Sequence, residues 1–269
     1  MTTVIVLITD NNYKSRALRT IKDVRTVGKW KKDIVLITID FSLEKEILEQ
    51  YNIIEKQFEL IDKSELINKI GKGYANSDRR ELCKLNQWEK IHVFDEYFKK
   101  WKKVIYLDSG LRILDDMKYF DELECTNCII APNDKGYYPQ EKPFKCQLEM
   151  CRENEIQKLC NEFGKEFLEK DYFLNCIWIY DTLILDKIHK KEMIEYMNKY
   201  PIWRTNEMGV MNLLFTFKYK CWKEMPLHAS NKKYLFEWCE ANHPFYTNWT
   251  QYCAIKYPLS IHMGQDPIF

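Results

Sequence analysis

Residues 102–114, with the sequence KKVIYLDSGLRIL, decide the fold of this chain. The apolar run VIYL follows two lysines and ends at Asp108, Ser109 and Gly110. This pattern predicts a short buried strand that presents a carboxylate at its carboxyl end. A carboxylate in that position suits a divalent cation, although an aspartate after a strand also commonly caps the following turn.

Similar apolar runs recur along the chain and alternate with helical patterns. They are TVIVLI from Thr3, DIVLITI from Asp33, CIIA from Cys128 and CIWIY from Cys176, with helices predicted through about Val27 and Tyr51. Alternation of this kind predicts an α/β fold with a mostly parallel central sheet and helices on both faces. Neither an internal repeat nor a linker rich in Pro, Gly or Ser divides the chain, so we expect one domain over residues 1–269.

Composition excludes several classes of protein. The 41 basic and 40 acidic residues nearly cancel, so no global field favours nucleic acid. No run of about 18 apolar residues predicts a membrane span, and the amino terminus does not resemble a signal peptide. The ten cysteines are scattered through apolar runs, which is typical of reduced thiols in a cytoplasmic protein.

The chain also lacks the glycine-rich loops that bind phosphates in other α/β proteins. Its one GxG pattern, Gly71 and Gly73, is followed by Tyr74, Ala75 and Asn76 rather than by a third glycine. A dinucleotide dehydrogenase or a P-loop enzyme is therefore disfavoured. Ligands of open α/β sheets bind beyond the carboxyl ends of the strands. The residues that follow TVIVLI and VIYL are therefore predicted to form the ligand site.

The segment KKVIYLDSGLRILDD resembles the strand and Asp-x-Asp motif of GT-A glycosyltransferases, in which the acids hold a manganese ion against the donor diphosphate. The resemblance implies a metal-binding role for Asp108, with Mn²⁺ or Mg²⁺ as cofactor, and a donor-binding role for Ser109. Gly110 stands where the second aspartate of the motif is usual.

The first strand and turn, LITDNNY, are similar to those of the glycogenin-like retaining branch, glycosyltransferase family 8. That resemblance implies that Leu7, Thr9, Asp10 and Tyr13 bind the donor around the uracil and ribose, with Asp10 in place of the usual asparagine. An aromatic ring and hydroxyl groups are what base stacking and ribose binding require. Packing of Tyr13 against the first helix is the alternative.

The segment RRELCKLNQWEKIHVF resembles the family helix with a Lys-Leu-x-x-Trp signature, matched by Lys84, Leu85 and Trp88. The resemblance implies that Lys84 reaches the donor, while Trp88 is expected in the core. Arg80 lies four residues before Lys84, which puts the two side chains on one face of a helix. Like charges at that spacing repel each other, so a nearby bound anion would explain the pair. A solvated pair opposite Glu81 is nearly as good an explanation.

Two later segments resemble catalytic motifs of the same family. YFLNCIWIYDT is similar to the Phe-Asn-Ser-Gly-Val strand, and NEMGVMNLLF to the Asp-Gln-Gly-x-x-Asn helix start. The resemblance implies that Asn175 and Glu207 lie at the reacting face, while Gly209 and Asn212 keep the glycine and asparagine of the second motif. A glutamate at a helix start is also a favourable partner of the helix dipole.

The final segment, LSIHMGQDPIF, resembles the family's His-x-x-Gly-x-x-Lys-Pro-Trp terminus. The resemblance implies that His262 completes the metal site and that Gly264 contacts the donor. Asp266 lies where the diphosphate-binding lysine would be expected, and the spacing is one residue shorter.

Together these resemblances, in family order along the chain, imply a metal-assisted, retaining glycosyltransferase. It would move a sugar from a nucleotide-diphosphate donor, a UDP-sugar by resemblance, to a hydroxyl of an unidentified acceptor. Residues 1–125 would form the nucleotide-binding half and residues 126–269 the acceptor side. The alternatives are a non-catalytic protein that binds a nucleotide or a partner, and a sugar nucleotidyltransferase, which normally needs a glycine-rich loop after the first strand.

Overall fold

A computed structural model describes residues 2–70, 82–134, 143–238 and 249–256 of the chain. Strands form where apolar and β-branched residues run together. They are β1 Thr3–Asp10, β2 Ile34–Ile39, β3 Ile53–Lys56, β4 Lys103–Leu107, β5 Leu111–Ile113, β6 Ile129–Ala131, β7 Ile177–Asp181, β8 Trp222–Glu224, β9 Tyr234–Trp238 and β10 Tyr252–Lys256.

Helices connect most of these strands. The α-helices are α1 Lys14–Thr26, α2 Lys45–Tyr51, α3 Ser64–Ile70, α4 Lys118–Asp121, α5 Glu153–Phe163, α6 Lys190–Lys199 and α7 Glu207–Asn212, and a π-helical turn, Leu213–Lys218, continues α7. The 3-10 helices are Asn11–Tyr13, Leu82–Phe94, Glu96–Lys100, Phe144–Gln147, Glu166–Glu169, Thr182–Asp186 and Trp249–Gln251.

Seven strands form the central sheet in the order β3-β2-β1-β4-β7-β6-β8. The pairs among β3, β2, β1 and β4 are parallel, as is the pair β6 and β8, whereas β7 runs antiparallel to both of its neighbours. The predicted mostly parallel sheet is confirmed. The reversed β7 brings its amino-terminal end to the carboxyl end of β4.

Both faces of the central sheet are buried. In β1, Val4 and Val6 belong to one apolar cluster, while Ile5 and Leu7 belong to the cluster on the other face. Side chains alternate between the two faces of a strand, so a strand that is apolar throughout needs a cover on both sides. Helices on both faces supply that cover, as the sequence predicts.

A second sheet of three strands, in the order β5-β10-β9, extends this core. Strand β5 begins one residue after Gly110, and β10 pairs with it in antiparallel register, with Lys256 opposite Leu111. The small sheet therefore holds Lys256 beside the turn that follows β4.

The apolar residues of the helix Leu82–Phe94 are spaced to suit its 3-10 geometry. Side chains three residues apart superimpose in a 3-10 helix, and Leu85, Trp88, Ile91 and Phe94 follow that spacing. Trp88, Ile91 and Phe94 are buried in the core, and Leu85 packs against it. The predicted burial of Trp88 is confirmed. None of the helices in the described ranges combines the length and apolar character needed to cross a bilayer.

Candidate active site

The candidate site lies at one edge of the central sheet, here called the donor edge, where β1 and β4 end and β7 begins. Parallel pairing of β1 with β4 places their carboxyl ends together, and antiparallel pairing sets Leu107 opposite Ile177. The amide of Asp108 donates to the carbonyl oxygen of Cys176 at 2.8 Å. Residues that precede β7 therefore meet residues that follow β4.

Asp108 lies between two lysine ammonium groups. Its Oδ1 is 3.1 Å from Nζ of Lys90, and its Oδ2 accepts from Nζ of Lys256 at 3.0 Å. The hydroxyl of Tyr106 also donates to Oδ1 at 2.9 Å. Burial alone would raise the pKa of Asp108, but attraction to Lys256 and Lys90 outweighs it and holds that pKa at about 2. Asp108 is therefore ionised, with both carboxylate oxygens already engaged.

Glu207 is the other acid of the site and is almost completely buried, at 1% exposed. Its Oε1 lies 3.2 Å from Nζ of Lys90 and accepts from Nδ2 of Asn175 at 2.6 Å. Its Oε2 is buried without a hydrogen-bond partner among the described residues. Burial raises the pKa of Glu207, and attraction to Lys90 offsets part of that rise. The structure thus brings together Asn175 and Glu207, as the motifs predict.

The backbone around Glu207 is set by its neighbours in the motif. Asn206, with φ 55°, lies in the left-handed region directly before α7. A Cβ at Gly209 would lie 2.6 Å from Cε3 of Trp203, so this close approach requires glycine. Asn212 accepts from the amide of Phe173 at 2.8 Å and donates to its carbonyl oxygen at 2.9 Å. Gly209 therefore lets α7 approach Trp203, while Asn212 ties α7, and with it Glu207, to the segment before β7.

The turn after β4 joins the site to the first strand. Ser109 donates from Oγ to the carbonyl oxygen of Ile8 at 2.8 Å, and its own carbonyl accepts from Nζ of Lys256 at 2.7 Å. Gly110 has a φ of +91°, and a Cβ there would lie 3.7 Å from both Nζ of Lys256 and Cδ of Arg16. The position of the missing second acid is therefore lined by cationic side chains.

The predicted nucleotide-binding residues lie at the end of β1. Asp10 accepts from the amide of Tyr13 at 3.1 Å and from Nδ2 of Asn86 at 3.2 Å, so it caps the short helix that carries Tyr13. Thr9 donates to the carbonyl oxygen of Asp10 at 3.0 Å. The side chain of Leu7 is wholly buried in the core, where it contributes packing. The guanidinium of Arg16 lies 5.6 Å from the centre of the Tyr13 ring.

Some predicted residues fall outside the described ranges. Arg80, His262 and Gly264 lie there entirely, and the side chain of Lys84 does too. Their roles remain predictions.

Sequence reasoning missed Lys90 and Lys256, which contribute the two ammonium groups that the described residues bring to the site. A signal existed for each. Lys90 lies six residues after Lys84, which is two turns at the three-residue spacing of that helix. Lys256 is the single charged residue in the strand YCAIK, and a lysine that follows four buried residues calls for a specific partner.

No protein-family model matches the sequence, and no curated protein matches it. Solved structures do match the fold. An active-site mutant of LgtC is 13% identical over 94% of this chain and 86% of that chain, with a TM-score of 0.60. The galactosyltransferase LgtC in complex with donor and acceptor sugar analogues is 14% identical over the same shares, 94% and 86%, with a TM-score of 0.55.

Core-mannan synthase A from Aspergillus fumigatus, in an Mn/GDP form, is 10% identical over 84% of this chain and 73% of that chain, with a TM-score of 0.54. At such identities the likeness establishes the fold. The chain has the fold of the GT-A glycosyltransferases, as the sequence motifs predict, and its structural neighbours are glycosyltransferases.

Proposed function

We propose that this protein is a glycosyltransferase that moves a sugar from a nucleotide-diphosphate donor to an acceptor hydroxyl with retention of configuration. The observation that carries the proposal is the largely buried charged group formed by Lys90, Asp108, Lys256 and Glu207 at the donor edge of a GT-A fold. Buried charges are costly, and a group that leaves one carboxylate oxygen unpaired is better explained by a ligand than by stability.

The residues divide by position along the donor edge. Tyr13 and Thr9, at the end of β1, suit the base and ribose of the donor, for which the family resemblance implies a UDP-sugar. Lys90 and Lys256 lie where the diphosphate would follow, since Ser109 links the two ends through Ile8. The nucleotide would therefore run from β1 toward β4.

Glu207 and Asn175 would face the reacting carbon. In the transfer, the bond from the anomeric carbon to the diphosphate oxygen breaks, and its electron pair leaves on the phosphate. A bond forms to the acceptor oxygen, whose proton passes to the departing diphosphate oxygen. Fixed positive charge stabilises the developing charge on the leaving group. The partnerless Oε2 of Glu207 is an acceptor suited to a hydroxyl of the donor sugar or of the acceptor.

The divalent cation implied by the resemblance does not fit the described half of its site. Both carboxylate oxygens of Asp108 hold ammonium groups, and Gly110 offers no side-chain oxygen. Within the described ranges, no three His, Cys, Asp or Glu side chains are grouped as metal ligands would be. His262, the second predicted ligand, lies outside those ranges, so the proposal routes no step through Mn²⁺ or Mg²⁺.

The free thiols support the cytoplasm as the compartment. The eight cysteines whose side chains the structure describes are free thiols, which suits a reducing environment.

The proposed function is tested by incubating the protein with UDP-, GDP- and TDP-sugars and measuring released nucleoside diphosphate. We expect slow hydrolysis of at least one donor, and its loss in Glu207→Gln. Binding of a nucleotide without turnover of any donor would instead favour the non-catalytic alternative, which the engagement of Asp108 by two lysines also supports. Formation of a nucleoside triphosphate and a sugar 1-phosphate when pyrophosphate is added to the donor would indicate a nucleotidyltransferase.

A further inference from the structure

We infer that Lys90 and Lys256 take the place of a divalent cation, so that the donor diphosphate is bound by two ammonium groups and needs no metal. This inference rests on the proposed function, because it assigns the diphosphate to the same donor edge. It goes further in naming what neutralises the diphosphate and in predicting that binding is independent of metal.

The first support is geometric. The ammonium groups of Lys90 and Lys256 lie on opposite oxygens of one carboxylate, at 3.1 and 3.0 Å. A metal ion bound through either oxygen of Asp108 would have to displace an ammonium group from a hydrogen bond and approach a like charge. Asp108 therefore acts as a positioning residue that fixes two cations.

The second support is the count of hydrogen-bond donors. An ammonium group has three N–H donors. Lys256 uses two, toward Asp108 and the carbonyl oxygen of Ser109, and Lys90 uses two, toward Asp108 and Glu207. Among the described residues each ammonium group thus keeps one donor, which suits a phosphate oxygen.

The third support is charge. Two ammonium groups and one carboxylate leave a single positive charge beside Asp108, and Glu207 opposes it only to the extent that it is ionised. A second carboxylate at position 110 would begin at a Cβ only 3.7 Å from Nζ of Lys256 and would cancel that charge. Glycine at this position is therefore consistent with ammonium groups as the cations. Arg16, equally close to that Cβ, adds positive charge at the rim.

The fourth support is burial. The side chains of Lys90 and Lys256 are 10% and 12% exposed. Charges shielded from water act on a ligand more strongly than surface lysines, whose interactions are screened by solvent and salt. Lysine is a common phosphate ligand that acts as a point charge.

The test is calorimetric titration of the full chain with uridine diphosphate and with guanosine diphosphate, in EDTA and in MnCl₂. For whichever nucleotide binds more tightly, we expect the Kd measured in EDTA and the Kd measured in MnCl₂ to agree within about threefold. Lys256→Met should weaken binding on the order of tenfold to a hundredfold, the range for loss of a hydrogen bond to a charged group. Lys256→Arg, which keeps the charge, should retain most of the affinity.

Lys103→Met is the matched control. Lys103 opens β4 at the end opposite Asp108, and its ammonium group donates to the carbonyl oxygens of Asp121 and Leu123. The nucleotide affinity of Lys103→Met should equal that of the wild type. Binding that requires Mn²⁺, or a Lys256→Met affinity equal to that of the control, would overturn the inference and leave the proposed function standing. Absence of nucleotide binding in both buffers would overturn the proposed function and the inference with it.

Discussion

Glu89 and Lys90 are consecutive residues of one helix, yet they belong to two buried charged clusters of different character. Glu89 is wholly buried and forms a closed cluster with Lys63 and His92, in which each carboxylate oxygen has partners. Lys90 belongs to the open cluster of Lys90, Asp108, Lys256 and Glu207, in which an oxygen of Glu207 has no described partner.

In the closed cluster, both carboxylate oxygens of Glu89 have hydrogen-bond partners. Oε1 of Glu89 pairs with Lys63, while Oε2 lies 2.8 Å from Nε2 of His92 and accepts from the amide of Ile61 at 3.2 Å. Burial would raise the pKa of Glu89, but these hydrogen bonds hold it below its ordinary value. The comparison teaches that burial of charge alone does not mark a site; the oxygen of Glu207 without a described partner is what distinguishes the open cluster from the closed one.

The largest effect should come from breaking the closed cluster. Glu89→Gln leaves Lys63 without its counter-charge, and breaking a buried pair in this way costs about 3–5 kcal/mol of unfolding free energy. Urea denaturation measures this cost, while nucleotide affinity of the folded variant should be unchanged. The control is Glu65→Gln in the exposed pair with Lys69, which should cost less than about 1 kcal/mol. Equal stability of the two variants would contradict the distinction.

Breaking the open cluster should affect function more than stability. Asp108→Asn keeps the size of the side chain but no longer fixes two ammonium groups, and misplacement by about 1 Å can reduce turnover about a hundredfold. Nucleotide affinity should change less than turnover, because the phosphates replace the lost carboxylate charge. Steady-state kinetics with calorimetry separates the two quantities. A cooperatively folded variant that keeps its turnover would remove Asp108 from the site.

A buried carboxylate outside both clusters, Glu237, adds a pH-dependent test to the comparison. Burial raises the pKa of Glu237 to about 7, well above its ordinary value. Because the folded-state pKa is the higher one, ionisation opposes folding, and stability should fall as pH rises from about 4.5 to 7 and then level off. The loss is at most about 3 kcal/mol. Glu237→Gln should flatten this part of the curve of melting temperature against pH, and an unchanged curve would assign the slope to other groups.

The smallest expected effect concerns Lys84. Its ammonium group is predicted to contact the donor in addition to the cations of the open cluster. Lys84→Ala should weaken nucleotide binding by about threefold to tenfold with little change in melting temperature. On the same helix, Trp88→Ala should leave a cavity that costs about 3–5 kcal/mol. Calorimetry and thermal unfolding of both variants test the contrast, and equal nucleotide affinity in Lys84→Ala and wild type would refute the role of Lys84.

The parts of this architecture that depend on local pattern could be predicted from sequence. The strand before Asp108 and the first strand are apolar runs bounded by polar residues, and such runs specify a strand almost by themselves. Motif resemblance implied that Asn175 and Glu207 both belong to the site, and their hydrogen bond is a finding of the structure. The fold confirmed by the comparisons rests on these segments in their order.

The open cluster itself could not be predicted, because it depends on long-range placement. Asp108 and Lys256 are 148 residues apart in sequence. Their contact requires β10 to pair antiparallel with β5, a register that neither strand's sequence specifies. The reversal of β7 likewise depends on its neighbours, so sequence predicted its residues but not which of its ends would reach Asp108.

The position of Lys256 in the last described strand also has a consequence for synthesis. Every strand of the central sheet lies before it, and the last of them ends at Glu224. Because chains emerge from the ribosome at about 5–20 residues per second and fold from the amino-terminal side, the central sheet is available to fold before Lys256 appears. A nascent chain can therefore bury most of its core before Lys256 emerges, so the proposed diphosphate site is completed only after the central sheet.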